Sequence, residues 1–378
     1  MKFNTAEPFF YEDDIKIILE EIRKILQGKN MLSKGPSVKV FESLFTKYIG
    51  TNYGVAVNSG TSALELVIKS IGLKEGDEVI VPVQTFVSTA SSVVNNKGVP
   101  IFCGIDENYL IDIDELKTKI TKKTKAVIIV HFCGLIHPEI FKLRDFLKLK
   151  KIFLIEDAAH AHGASIEGVK AGNIGDFGCF SFFSTKIMTT GGEGGFISTN
   201  HKKYFEICSS LSAIGIDKKS KTELYRNSGS NNRMTEIQSI IGICQLKKID
   251  SFILHRENIS NIYKEQLAHL SKNRLVTFQE YPKTIRHPFW RFLVIIRNNK
   301  FNRNKIKEEM GKVGVNIDWP YQPLLHRQPL FDDRLDIKEG DFLKSESLSN
   351  IHFSLPIHLK ITEKNAIFIS KNLLKQFV

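Results

Sequence analysis

Lys186 follows an aromatic run, Phe177 to Phe183, and precedes a glycine turn, GGEGG (Gly191 to Gly195). Aromatic residues bounded by glycines predict a buried strand. A lysine just beyond such a strand lies where α/β folds place chemistry, outside the carboxyl ends of the strands. Desolvation there lowers an amine's pKa and makes it a nucleophile. The glycines behind it permit a sharp turn or a close approach to a ligand. Alone, the pattern equally describes a surface lysine ahead of a loop.

Two further stretches carry matching chemistry. KIFLIED (151–157) is an apolar strand ending in Glu156-Asp157. A carboxylate at a buried strand end needs a partner, either the amides of the next helix or a protonated ring nitrogen. Asn58-Ser59-Gly60-Thr61 turns from a short strand, Val55 to Val57, into an apolar-faced helix. Such a turn is either an ordinary N-cap or an anion site. Together, a nucleophilic lysine, a carboxylate for a heterocyclic nitrogen, a phosphate turn and a flat cover match the needs of pyridoxal phosphate. Phe86, in PVQTFVST, supplies the cover.

The elements that must position these groups alternate along the chain. Strands at 78–82, 99–105, 125–131 and 151–157 are separated by helical stretches, including 112–120 and 138–150. Continuous apolar strands alternating with helices predict a mostly parallel sheet covered on both faces. GCFSFF and GGFIST (194–199) complete it. The N-terminus predicts a helix ending at Gly28 and a second starting near Val38. A long helical region, Arg233 to Leu270, leads to a C-terminal part with a strand at 289–297 and a helix at 303–313. The expected division is 1–34, an N-terminal helix and loop packing with the small domain; 35–250, the large cofactor domain; and 251–378, a small α+β domain.

Composition narrows the classes. No apolar run approaches the ~20 residues that span a bilayer, and the acidic N-terminal stretch carries no apolar signal core. Five cysteines without a CxxC pair fit reduced thiols in the cytoplasm, with no disulfide framework and no metal site. The net charge of +12 is spread out, without the basic stripe and interleaved aromatics of a nucleic-acid binder. It suits a soluble basic surface, or attraction of anionic substrates.

NSGTSALELVIKSIGLKEGDEVIVPVQTF, IVHFCG, IEDAAHAHGA, GDFGCFSFFSTK, GEGG, GSNNRMTEIQSIIGICQLKKID, WPYQPLLHRQPLF and HFSLPIHLKIT resemble, in order, the DegT-type nucleotide-sugar aminotransferases. The resemblance implies the fold-type I, aspartate aminotransferase-like architecture and a homodimer with shared active sites. It implies Lys186 as the Schiff-base lysine and proton carrier, Asp157 on the pyridine nitrogen and Phe86 stacked on the ring. His160 stands where Gln is frequent beside the ring's 3-oxygen. Gly60, Thr61 and Ser181 would hold the phosphate, with Asn231 reaching it from the other subunit. His326 resembles a sugar-nucleotide position. Ser184, Cys133 and Asn232 depart from the commoner Pro, aromatic and Tyr, and the turn is one residue longer than TTGEGG. The implied reaction is ping-pong transfer of an amine from L-glutamate to C3 or C4 of a nucleotide-linked keto-deoxy sugar. Surface polysaccharide, lipopolysaccharide or O-antigen precursors are the usual products. A sugar 3-dehydratase carries His in place of the lysine, so Lys186 argues against that reading. A non-catalytic regulator would have little need of the lysine, Asp and phosphate turn together. Trp290 and its FWRFL neighbours are expected to pack the small domain, His131 to be a satisfied interior or near-site histidine, and His358 to be structural.

Overall fold

The computed structural model describes residues 2–33, 35–217, 219–332, 338 and 340–377. Seven strands form the main sheet: β1 Tyr53–Val57, β2 Glu78–Pro82, β3 Val99–Cys103, β4 Thr124–Val130, β5 Phe153–Asp157, β6 Phe177–Ser181 and β7 Gly195–Thr199. Their order is β1-β7-β6-β5-β4-β2-β3. The pairs among β2 to β6 are parallel, while β7 runs antiparallel to both β6 and β1. A parallel return needs a crossover, usually helical. The 182–194 connection has no helix and doubles back through the glycine turn, which reverses β7.

This reversal positions the lysine. β6 ends at Ser181, two residues short of the aromatic run. Phe182 leaves the regular ladder but still donates its N–H to Gly194 O at 2.8 Å. Its ring packs edge-on against Phe41 and Phe45, at 5.4 and 5.2 Å. The chain then turns, with Lys186 N bonded to Phe183 O at 2.9 Å.

Helices cover both sheet faces. α1 spans Glu12–Leu26, α2 Pro36–Ile49, α3 Gly60–Ser70 and α4 Ser88–Asn95. α2 starts at Pro36 rather than near Val38, because proline's fixed φ suits a first helical turn. Buried Glu236 accepts from Gly35 N and Ser37 N at 2.9 and 2.7 Å, capping that helix end from far along the chain. The region expected as one long helix breaks into Glu236–Leu246, Ile249–Gln266 and Ala268–Lys272. Its first piece starts at a capping box of Thr235 and Gln238.

The C-terminal part builds a second sheet from β8 Val276–Thr277, β9 Phe292–Ile296 and β10 His352–Leu355. Tyr263, Phe292, Phe353 and Ile369 centre its core. Its connections do not all stay there. Leu324, Leu325, Phe331 and Phe342 join the core of the main sheet, and Leu325 N bonds Val83 O at 2.9 Å. The N-terminus divides likewise. Phe3 pairs with Val315 and Thr5 bonds Asp318 in the C-terminal part, whereas α1 packs Ile18 and Ile25 on Ile240 and Cys244 of Glu236–Leu246.

Candidate active site

A cavity of about 430 Å³ opens beyond the carboxyl ends of β4, β5 and β6. It is lined by Gly60, Thr61, Phe86, Asp157, His160, Ser181 and Lys186, and also by Glu193, Trp290, Arg291 and Tyr321.

Asp157 is buried at the end of β5. Its Oδ2 accepts from Thr89 Oγ1 at 2.9 Å, and its Oδ1 from Ala159 N at 3.2 Å. Thr89 thereby uses its only hydroxyl proton, so Thr85 donates to Thr89 across their 2.9 Å contact. Burial raises the Asp157 pKa, while the Thr89 hydrogen bond and the Lys186 charge oppose that rise. A carboxylate offers about four acceptor positions, and Asp157 has capacity left on its cavity side.

Lys186 lies partly open to the cavity, with Nζ 4.5 Å from the Trp290 ring centre. Burial lowers its pKa to about 8, Asp157 pulls it back up, and the Arg291 charge lowers it. An appreciable fraction of the amine is therefore neutral near physiological pH, as carbonyl attack requires.

Gly60 opens α3, whose Ser59 N-cap accepts from Ser62 N at 3.1 Å. The first amides of a helix have no intrahelical partner, so those of Gly60 and Thr61 remain for a ligand. Three backbones crowd together here. A Cβ on Gly60 would lie 2.7 Å from Ser181 Cβ, and one on Gly195 would lie 2.2 Å from Ser59 O. Gly60 and Gly195 thus let α3, β6 and β7 close around a concavity bearing the Ser181 and Thr61 hydroxyls. The concavity has the donor chemistry of a phosphate cradle. Phe86 leaves 52% of its surface exposed at the cavity wall, a flat apolar face without protein cover. A phosphate cradle, a buried carboxylate with spare acceptor capacity, a depressed lysine and an uncovered ring together fit pyridoxal phosphate.

The C-terminal part supplies the opposite wall. Trp290 stacks on His160 at 3.6 Å and donates Nε1 to Thr185 O at 3.0 Å. It packs in the core of the main sheet rather than in the small domain's core, where it was expected, and it also faces the cavity. His160 Nε2 contacts the Tyr321 hydroxyl at 2.8 Å, and its Nδ1 is buried without a partner. Burial and the Lys186 charge hold His160 neutral, its pKa well below the usual range. Tyr321 adopts a φ of 66°, a left-handed conformation that costs a non-glycine residue energy and here directs its phenol at His160.

Two expected site residues lie elsewhere in this chain. Asn231 is exposed and does not line the cavity. His326 is also outside it, bonded through Nε2 to Glu346 at 2.8 Å and packed on Phe342. His131 and His358 contact Glu156 and Asn4 O, and neither lines the cavity. Glu193, within the glycine turn, lies at the cavity, while its carbonyl accepts from Thr190 Oγ1 and Gln238 Nε2. Thr85, Thr89, Arg291 and Tyr321 were missed. The threonines four residues apart around the start of α4 and an arginine inside the apolar run FWRFLVII were the legible signals.

The sequence pattern of the DegT/DnrJ/EryC1/StrS aminotransferase family matches residues 12–373. An uncharacterized protein of Methanocaldococcus jannaschii is 34% identical over 95% of this chain and 94% of its own length. GDP-perosamine synthase of Escherichia coli O157:H7 is 30% identical over 94% of each chain. Among solved structures, Helicobacter pylori PseC, an aminotransferase involved in pseudaminic acid biosynthesis, superimposes with a TM-score of 0.91 at 25% identity. That match covers 100% of this chain and 99% of PseC.

Proposed function

The chain belongs to the DegT/DnrJ/EryC1/StrS aminotransferase family, and we propose that it transfers an amino group from L-glutamate to C3 or C4 of a nucleotide-linked keto-deoxy sugar. Members of this family are pyridoxal phosphate-dependent transaminases. The observation that carries the reading is that Lys186, Asp157 and the cradle of Gly60, Thr61 and Ser181 meet in one cavity.

When bound, pyridoxal phosphate supplies an electron sink that lets an amine move between two carbonyl carbons. The protein's own residues do the rest. The α3 amides with the Thr61 and Ser181 hydroxyls would hold the phosphate. Asp157 would accept the ring N–H and, kept ionised by Thr89, hold that proton in place. Phe86 would cover one ring face. His160, fixed by Trp290 and Tyr321, would offer a neutral nitrogen beside the ring. Lys186 Nζ, depressed to about 8, can both take and return a proton near neutral pH.

Asn231, exposed in one subunit, would complete the phosphate site of the other in a homodimer, and His326 would serve the sugar nucleotide through the 320–331 segment. The division into a large unit, 35–250, and a small one, 251–378, belongs to the same proposal, as does a cytoplasmic enzyme making surface polysaccharide, lipopolysaccharide or O-antigen precursors. Perosamine synthases and PseC among the similar proteins support a nucleotide-sugar acceptor. Among the described residues no helix is long and apolar enough to cross a membrane.

The test is absorbance spectroscopy of purified protein with pyridoxal phosphate, before and after L-glutamate, followed by a panel of nucleotide keto-sugars. A visible band that bleaches with glutamate and returns with one acceptor is expected. Absence of any band would end the reading.

A further inference from the structure

Arg291 immediately precedes β9, lines the cavity and is only 7% exposed. Burying a guanidinium costs free energy unless a counter-charge or hydrogen bonds compensate it. Nε and Nη1 have no partner among the described residues. Compensation therefore falls to Nη2, which donates to Asp318 Oδ2 at 3.3 Å. Asp318 is held for this contact from two other elements. Its backbone carbonyl accepts from Ser354 N of β10 at 2.7 Å. Its carboxylate accepts from Ser354 Oγ and, at 2.7 Å, from Thr5 Oγ1. Thr5 is fixed in turn, because Phe3 bonds Gly314 O and Asn316 N, each at 2.8 Å. The acid cannot leave the arginine without undoing its bonds to β10 and to the N-terminal segment.

The guanidinium Cζ lies 4.6 Å from the centre of the Trp290 ring, and Lys186 Nζ lies 4.5 Å from the same centre. Two cations over one ring repel, and the effect is felt by the one that can lose its proton. From this geometry we propose that Asp318 is a positioning residue for Lys186: it pins Arg291 beside the indole and, as its counter-ion, limits the positive field at the amine. The proposal rests on Lys186 as the Schiff-base lysine and deepens that reading. Arg291 lines the cavity and Asp318 does not, so the lysine feels the cation more than its counter-ion. Asp157 pulls the other way. Burial keeps His160 and His162 neutral and keeps the protons on Cys133 and Tyr321. Glu193 lies at the exposed rim. The ion pair thus sets a balance. With the arginine unopposed the lysine would be a weaker base for the substrate's proton, and without the arginine it would be more fully charged and slower to attack a carbonyl.

The test is competitive labelling of the cofactor-free full chain with a trace of acetic anhydride across the neutral to alkaline range, with the Lys186 peptide read by mass spectrometry. This readout needs neither pyridoxal phosphate nor glutamate. In wild type half-maximal labelling is expected near pH 8. D318N, which leaves the guanidinium unopposed, is expected to lower that midpoint by about half a pH unit. D318E, which keeps the charge, is expected to restore it. R291Q is expected to raise the midpoint by about one pH unit. R291Q/D318N should fall between wild type and R291Q, because both charges go and the nearer one dominates. A D318N protein that melts lower but labels like wild type would make Asp318 merely structural and overturn the proposal. An R291Q midpoint at or below the wild-type value would overturn it too. Should D318N fail to fold, the double variant, which buries no unpaired guanidinium, decides: a midpoint equal to that of R291Q overturns the proposal. Midpoints that move as expected in a protein that never shows a cofactor band would uphold the ion pair's effect and sink the transaminase reading.

Discussion

Glu156 and Asp157 are adjacent in sequence, both buried at the end of β5, and opposite in kind. Strand alternation turns them to different sides of the sheet. Glu156 is saturated. Its Oε1 accepts from Ile174 N and Gly175 N, each at 2.7 Å, and its Oε2 from Gly172 N and His131 Nε2, each at 2.8 Å. Those four donors offset the cost of burying a charge and fasten the loop before β6 to the core. Asp157 has two donors and a cavity. One carboxylate is therefore structural and the other is held in readiness for a partner the protein does not itself provide. Burial alone separates nothing here, and donor count does.

The contrast can be broken at either residue. The largest effect is expected at the cavity: Lys186→Ala should lose turnover by several orders of magnitude and lose the visible cofactor band, both read by absorbance. Asp157→Asn should follow closely, because an amide cannot hold the ring proton. Its cofactor-free form should melt at or above the wild-type temperature, since a partly unpaired buried charge has gone. A clear fall in Tm would show that Asp157 is as structural as its neighbour.

Glu156→Gln should behave in the opposite sense. An amide retains one acceptor oxygen and turns its N–H₂ toward donors, so at least one buried amide is left unpaired. A cost of about 3 kcal/mol or more is expected, read as reduced Tm in the cofactor-free protein. The surviving folded fraction should still bind cofactor.

The pH dependence sharpens the comparison further. Capture of pyridoxal phosphate by the cofactor-free protein should accelerate as pH rises, with a midpoint near 8. An exposed lysine would place that midpoint near 10.4. The sign for stability follows. Between about 8 and the unfolded value the unfolded chain binds more protons at this lysine, so its contribution to stability improves as pH rises through that window. The smallest effect is expected from Thr89→Val, which removes a hydrogen bond worth about 1 kcal/mol. Losing the donor that lowers the Asp157 pKa should shift the acid limb of activity to higher pH.

Much of this was legible without coordinates because it is local. Strand–helix alternation, the apolar strands, the Ser59 cap and the Lys186 and Asp157 positions follow from side-chain pattern and from what buried or turn backbone tolerates. β2 lies at 78–82 in both readings. The breaks in the 233–270 helical region and the early end of β6 were not legible, because both are decided by packing against distant elements such as α1 and α2. The cavity's second wall was illegible for the same reason. Trp290, Arg291 and Tyr321 lie over a hundred residues beyond Lys186, on a part of the chain whose own pattern says only that it forms a small sheet. The sequence by itself determined which residues could hold a cofactor and react with it. Only the tertiary structure decided which of two neighbouring carboxylates is free and which arginine lacks partners. Both depend on counting donors brought together across the chain, and no spacing within one segment records that count.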